Sequence, residues 1–466
     1  MTVLLVNPSQ VKIYGKMRPP VQLHMGLAYI AAMLKKCGHL VSIMDMDAEH
    51  VSLGSFSQFV KSSMFDMVGV TVTTPTLSSS LELARAVKES YPASKVVFGG
   101  MHPSVMPRET ITYKEVDFVV KGEGEITLIE LLNALANGNN IKDVNGILFK
   151  EDNGIIETPS RDLIEDLDTI PFPARDLFKN SSYTYPDSLY SKTAPIITSR
   201  GCPGRCTYCN ASSIFGRKFR ARSSANIVDE IELLIKDHGI KEIHIWDDNF
   251  VTNKERVYEI RDEIKKRGVS VKFAFPNGIR ADYLDIDILS ALKDMGTYSI
   301  AIGVESGSQE VLNKARKGIR LDKVAEVFTL AKEIGLETWA FFMFGLPGED
   351  PGKAIETINF AKRLNPDIAK FHILKPYPGT EVYNFMVFEN LLTGKDYDNY
   401  GIHTAPVHHI EGLSENELLE IQKKAYFEFY FRPSKILGQI LRIKSFNRLR
   451  LNLESALGIA KIIMKN

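Results

Sequence analysis

Arg200-Gly201-Cys202-Pro203-Gly204-Arg205-Cys206-Thr207-Tyr208-Cys209-Asn210 places three of the chain's four cysteines on one short loop, spaced C-x-x-x-C-x-x-C. Three thiolates on a tight loop can hold three corners of a cubane iron-sulfur cluster and leave the fourth iron open to a substrate or cofactor. A structural zinc site asks for four tetrahedral ligands, and no histidine or fourth cysteine lies near this loop in sequence. Cys37 is left over, far away in an apparent helix.

Working outward, the loop follows the first of six short apolar runs that alternate with amphipathic segments: Pro195-Thr198, Glu242-Trp246, Lys272-Phe275, Tyr298-Gly303, Thr338-Phe344 and Ile368-Leu374. Six such strands with intervening helices predict a partial (β/α)6 TIM-like barrel whose active face lies at the strand carboxyl ends. Those ends carry Trp246-Asp247-Asp248-Asn249-Phe250, Gly278-Ile279-Arg280, Gly303-Val304-Glu305-Ser306-Gly307-Ser308, Phe344-Gly345-Leu346-Pro347-Gly348-Glu349 and Pro376-Tyr377-Pro378-Gly379-Thr380. With the cysteine triplet and its Gly-Cys and Tyr-Cys neighbours, these segments resemble the radical S-adenosylmethionine (radical SAM) enzymes over residues 194–380.

The resemblance implies a 4Fe-4S cluster on Cys202, Cys206 and Cys209. It also implies S-adenosylmethionine chelating the open iron, reductive cleavage to a 5'-deoxyadenosyl radical, and an electron donor such as flavodoxin or ferredoxin. The cofactor's sulfonium, ammonium and ribose diol favour carboxylate partners. Glu305, which Ser306 follows, is the first candidate, with Asp247 or Asp248 next; a solvated loop residue or a helix N-cap is the alternative for each. By resemblance Tyr208 borders the adenine, and Gly345 to Gly348, including Pro347, offers close backbone approach on the opposite edge. Arg280 either binds a substrate carboxylate or closes a structural ion pair.

Upstream, Val3-Val6, Leu40-Met44, Met67-Thr71, Lys95-Phe98 and Asp117-Val120 read as strands between helices such as Leu27-Lys36 and Leu77-Glu89. That alternation predicts a doubly wound parallel α/β sheet, Rossmann- or flavodoxin-like, with a ligand outside the strand carboxyl ends. Thr73, Thr74, Gly99, Gly100, His102, Gly122, Glu123 and Gly124 fall there, and no G-x-G-x-x-G follows the first strand, which disfavours a nicotinamide. Pro19-Pro20 with Gly26-Leu27-Ala28-Tyr29-Ile30-Ala31, Gly99-Gly100-Met101-His102-Pro103 and Gly122-Glu123-Gly124-Glu125 resemble the cobalamin-binding radical SAM enzymes. Cobalamin is the cofactor so implied. The D-x-H-x-x-G signature for a lower histidine ligand is missing, since Asp45 and Asp47 are followed two positions on by Asp47 and Glu49. His102 is the rival axial ligand, against a local hydrogen-bonding role.

The expected division is a cobalamin-binding-type domain over 1–140, a linker with a hairpin around Asp152-Asn153 over 141–193, the barrel over 194–383 and a helical region over 384–466. The 466 residues carry 57 Lys plus Arg against 57 Asp plus Glu, so no global field recruits nucleic acid. Few cysteines and an N-terminus reading as a strand point to the cytoplasm. From Pro433 onward seven Lys or Arg stand against one Glu among apolar residues, a pattern that either touches an anionic membrane or packs on its own domain. The leading reading is methylation of an unactivated carbon in a small or amphiphilic molecule. The alternatives are a radical cyclase, ring-contracting or hydrating enzyme, and a radical SAM enzyme whose first domain no longer binds cobalamin. RNA modification and a non-enzymatic sensor are disfavoured.

Overall fold

The computed structural model describes residues 1–15, 21–152, 154–178, 183–185, 188–394, 396–433 and 435–436. Pro19-Pro20, Asn153 at the hairpin and the basic tail from residue 437 onward lie outside the described residues.

Seven strands form the first sheet: β1 (Thr2–Asn7), β2 (Leu40–Asp45), β3 (Met67–Thr71), β4 (Lys95–Gly99), β5 (Phe118–Val120), β6 (Ile147–Glu151) and β7 (Gly154–Glu157), in the order β2-β1-β3-β4-β5-β6-β7. The first five are parallel, within two residues of the runs read from the sequence. Side chains alternate between two cores. Val3 and Leu5 pack with the helices Met25–Lys36 and Gly124–Asn137, and Leu4 and Val6 with Leu53–Ser63 and Leu77–Ser90. Helices on both faces explain why the strands are apolar throughout. The order reverses between β1 and β3, which opens a crevice at their carboxyl ends.

The expected hairpin forms, and β6 pairs antiparallel with β5, so it extends the first sheet. The chain then packs against both neighbours. Ala174 N–H donates to the Ala28 carbonyl, while Arg175 bonds the Pro195 carbonyl and Glu230.

The second sheet is six parallel strands in sequential order, starting with β8 (Thr193–Ile196). A short antiparallel pair, β9 (Ser199–Arg200) and β10 (Arg220–Ala221), intervenes before β11 (Glu242–Ile245), β12 (Lys272–Ile279), β13 (Thr297–Glu305), β14 (Glu337–Phe344) and β15 (Ile368–Ile373). One apolar core joins this sheet to its outer helices. β8 and β15 form the two edges of an open barrel, and Pro195 is tolerated because β8 is an edge. The helix Glu415–Tyr430 covers the other edge: Tyr426 and Tyr430 hydroxyls and the Gln422 amide bond the backbone of Phe371 and Ala369. Among the described residues no helix is long and apolar enough to cross a membrane.

Candidate active site

The cysteine loop is shaped before any metal is considered. β9 and β10 pair at its base, with Arg200 opposite Arg220. Gly201 has a φ of 86°, and a side chain there would run into the Lys218 carbonyl. Thr207 N–H donates to the Ala315 carbonyl, Val382 N–H to Thr207, and the Asn210 amide to Pro378, each at 3.0 Å. Cys202, Cys206 and Cys209 therefore line one opening, with Gly379 and Thr380 across from them.

This donor set fits a cluster. Among the described residues no three His, Cys, Asp or Glu side chains converge closely enough to hold a single ion. A cubane asks instead for thiolates spread around one cavity, each on its own iron. Burial pushes the Cys202 and Cys209 thiols up, Cys209 to about 11, and the Cys206 and Asp248 charges add to it. Iron would supply the positive charge that releases those protons. Arg280 Nη1 lies 3.8 Å from Cys206 Sγ, while Nε and Nη2 bond Asp282 at 3.1 and 2.9 Å; of the two roles read for Arg280, the geometry shows the ion pair.

Glu305 closes β13 at a bulge, where pairing with β14 jumps from Gly303 to Glu305, and it takes a left-handed φ of 67°. This conformation brings its Oε1 to 2.8 Å from Lys317 Nζ. Burial works against the Lys317 ammonium, but the charges of Glu305 and Cys206 outweigh it and hold its pKa up. Burial, then Glu305 and Cys206, pushes the Tyr208 phenol well above its ordinary value. The pair thus stands beside the cysteine loop and Tyr208.

Other residues read from the strand ends are occupied elsewhere. Asp247 accepts from Thr198 N–H at 2.6 Å and from the Thr198 and Ser199 hydroxyls at 2.5 Å, so its carboxylate ties down the base of the loop. Asp248 is exposed and accepts from Gly201 N–H at 3.0 Å. Ser306 is fully buried against Thr357. Gly345 donates its N–H to Glu349 and accepts from His408 Nε2, which already occupies its backbone, while Pro347 is partly exposed.

The first domain sorts in the same way. Thr73 is exposed at the crevice, and Gly99, Gly100 and Gly122 are partly exposed there. Gly100 has a φ of 101° and leaves no room for a side chain against Thr71 and Val72. His102 is fully buried, its Nδ1 3.2 Å from Thr74 Oγ1 and its ring edge-on to Tyr397, while its Nε2 has no hydrogen-bond partner among the described residues. Gly124 packs against Ile30, and the Glu123 carboxylate is engaged by arginines.

Comparisons with known proteins bear on this arrangement. The radical SAM superfamily model matches residues 196–361 and the B12 binding domain model residues 13–132. An uncharacterized methyltransferase of Pyrococcus horikoshii is 32% identical over 453 residues, 96% of each chain. The chain belongs to the cobalamin-binding radical SAM enzymes. Two further relatives are the cytidylyl-2-hydroxyethylphosphonate methyltransferase of Streptomyces wedmorensis (27% identical, 82% of this chain and 80% of that one) and the anaerobic magnesium-protoporphyrin IX monomethyl ester cyclase of Rubrivivax gelatinosus (27%, 93% and 78%). The solved structure of OxsB, a cobalamin-dependent radical SAM enzyme with aqua-cobalamin and S-adenosylmethionine bound, shares the fold at a TM-score of 0.76 and 18% identity, covering 99% of this chain and 71% of that one. The radical SAM domain implies S-adenosylmethionine and a 4Fe-4S cluster, and the B12-binding domain implies cobalamin.

In this radical SAM enzyme the two halves meet through buried charge. Glu123 Oε1 lies 2.9 Å from Arg200 Nη1 and 3.0 Å from Arg220 Nη1, and Glu125 Oε1 lies 2.5 Å from Arg200 Nη2. Neither arginine was singled out in the sequence, nor was Lys317. The legible signal for the arginines was Gly122-Glu123-Gly124-Glu125 itself, two acidic residues at period two that want buried cationic partners. Lys317 carries no comparable signal.

Proposed function

We propose that the protein methylates an unactivated carbon of a small or amphiphilic metabolite, with Cys202, Cys206 and Cys209 holding the cluster and an external donor supplying electrons to it. The observation that carries the site reading is the Glu305-Lys317 pair standing beside a loop whose three thiols share one opening. A carboxylate next to an ammonium complements the amino and carboxylate ends of an α-amino acid, so Glu305 would accept from the amino N–H of the methionyl moiety and Lys317 would donate to its carboxylate. Tyr208 would border the adenine, Asp248 would make polar contacts to the cofactor, and Pro347 would approach it from the opposite edge. In the first domain the backbone of Gly99, Gly100 and Gly122 and the Thr73 hydroxyl would meet the cobalamin. Bound together, these cofactors supply a hydrogen-abstracting radical and a methyl group, the two things that a carbon lacking an acidic proton needs.

The methyltransferase relatives support this reading, and the cyclase relative supports a second one, in which the same two domains carry out a radical cyclisation without methyl transfer. Product mass separates them. Anaerobic turnover with S-adenosylmethionine labelled in its methyl group should give a product carrying that labelled methyl in place of one hydrogen, a net gain of one methylene unit plus the label; an unlabelled product would favour the cyclase reading. Cys206→Ala should abolish S-adenosylmethionine cleavage, and retained cleavage would overturn the cluster assignment.

A further inference from the structure

The cysteine loop begins after Arg200 and ends before Arg220, and a carboxylate from the other domain grips both ends. Glu123 bonds both arginines, and Glu125 bonds Arg200 a second time. All four side chains are at least nine-tenths buried. Two anions face two cations there, so the network is neutral only while every member is present. Its first-domain end reaches the crevice within a few bonds. Gly122, next to Glu123, donates its N–H to Ser104 Oγ at 3.0 Å, and that hydroxyl donates to the Gly100 carbonyl at 2.7 Å. Its barrel end is as close to the cluster site, because Cys202 lies two residues beyond Arg200.

An adhesive contact between domains could sit anywhere along the interface. This one sits on the two residues that open and close the loop, and it springs from the turn that edges the crevice. We infer that Glu123 and Glu125 are positioning residues: from the first domain they fix where the cluster stands, and they pass a change at the Gly100-Gly122 edge of the crevice on to the cysteine loop. The inference rests on the proposed placement of cluster and cobalamin. Thiolate orientation and nearby charge both set a cluster's potential, so displacement of the loop is read directly there.

The test uses the full-length protein reconstituted anaerobically with iron and sulfide, with and without hydroxocobalamin. The cluster's reduction potential and its reduced-state paramagnetic resonance signal are measured by redox titration. The expected result is a shift of potential on adding hydroxocobalamin to the wild type. Glu125→Gln, which leaves Glu123 alone to hold both arginines, should reduce that shift with iron and cobalt counts unchanged. Glu165→Gln, which breaks only an exposed pair with Lys218 of the same loop, should retain it. Should Glu125→Gln not fold, Arg200→Lys keeps the charge while giving up the forked geometry, and it should reduce the shift. An equal shift in wild type and variant, or bound cobalt with no shift, would overturn the positioning role alone. A wild type that binds no cobalt would overturn the cofactor reading, and the positioning role with it.

Discussion

Lys317 Nζ lies 2.8 Å from Glu305 Oε1, and the two meet in the space left by a missing side chain at Gly303. Glu305 reaches this partner from a left-handed backbone position, a conformation uncommon outside glycine. Removing either partner leaves a buried charge and half of a zwitterion site. Glu305→Ala and Lys317→Ala should each weaken S-adenosylmethionine binding about tenfold or more, the equivalent of one charge-assisted hydrogen bond, without lowering iron content. Equilibrium dialysis on the reconstituted protein checks this, and unchanged affinity would remove the pair from the site.

Gly303→Ala tests the same pair from a third residue. A Cβ there would fall 2.5 Å from Glu305 Oε1 and 2.9 Å from Lys317 Nζ, so both side-chain ends must shift from their present positions. The predicted outcome is loss of S-adenosylmethionine affinity of the size seen for Lys317→Ala. Affinity equal to the wild type would show that the pair can move aside at no cost.

The interdomain network predicts unequal consequences for two similar substitutions. Glu123→Ala leaves Arg200 with Glu125 alone and strips Arg220 of its carboxylate in the interface, and it should cost about 3–5 kcal/mol. Glu165→Ala breaks a pair whose side chains are 65% and 64% exposed and should cost less than about 1 kcal/mol. Urea unfolding of the two variants beside the wild type measures the difference.

Glu349 gives a pH dependence whose sign can be worked out. Burial raises its pKa to about 8, and one of its carboxyl oxygens has no hydrogen-bond partner among the described residues. Between the ordinary carboxyl range and about 8 the folded chain holds a proton that the unfolded chain has released. Stability should therefore fall as pH rises through that window, by at most about 1.4 kcal/mol per pH unit. Burial lowers His102 and His408 to about 4, so below about 6.5 the unfolded chain binds the extra protons and stability falls toward acid. Unfolding midpoints should peak near neutrality, and Glu349→Gln should flatten the alkaline side; an unchanged alkaline slope would contradict the assignment.

The strands, the strand order of the second sheet and the cysteine loop were legible because periodicity and spacing are local properties. What each strand-end side chain touches was not. Asp247 and Asp248 are neighbours in sequence, yet one holds the loop base through Thr198 and Ser199 while the other is exposed. Nothing in their identities distinguishes them. His102 sits after a Gly-Gly pair that suggests a ligand edge, and its contacts with Thr74 and with Tyr397, 295 positions away, are not written in that local sequence. Glu123 and Arg200 stand 77 positions apart, a pairing that only the docking of two domains creates. The hairpin was legible, but not its attachment to β5, because antiparallel pairing along a sheet edge leaves no periodic mark.

The central claim is that one chain holds a cluster and a cobalamin together. Anaerobic reconstitution with iron, sulfide and hydroxocobalamin, followed by desalting and counts of iron and cobalt, tests it most directly. About four irons and about one cobalt per chain are predicted, with the iron lost in Cys206→Ala and the cobalt kept. Iron bound without cobalt would contradict the two-cofactor account and leave the first domain's crevice to another ligand.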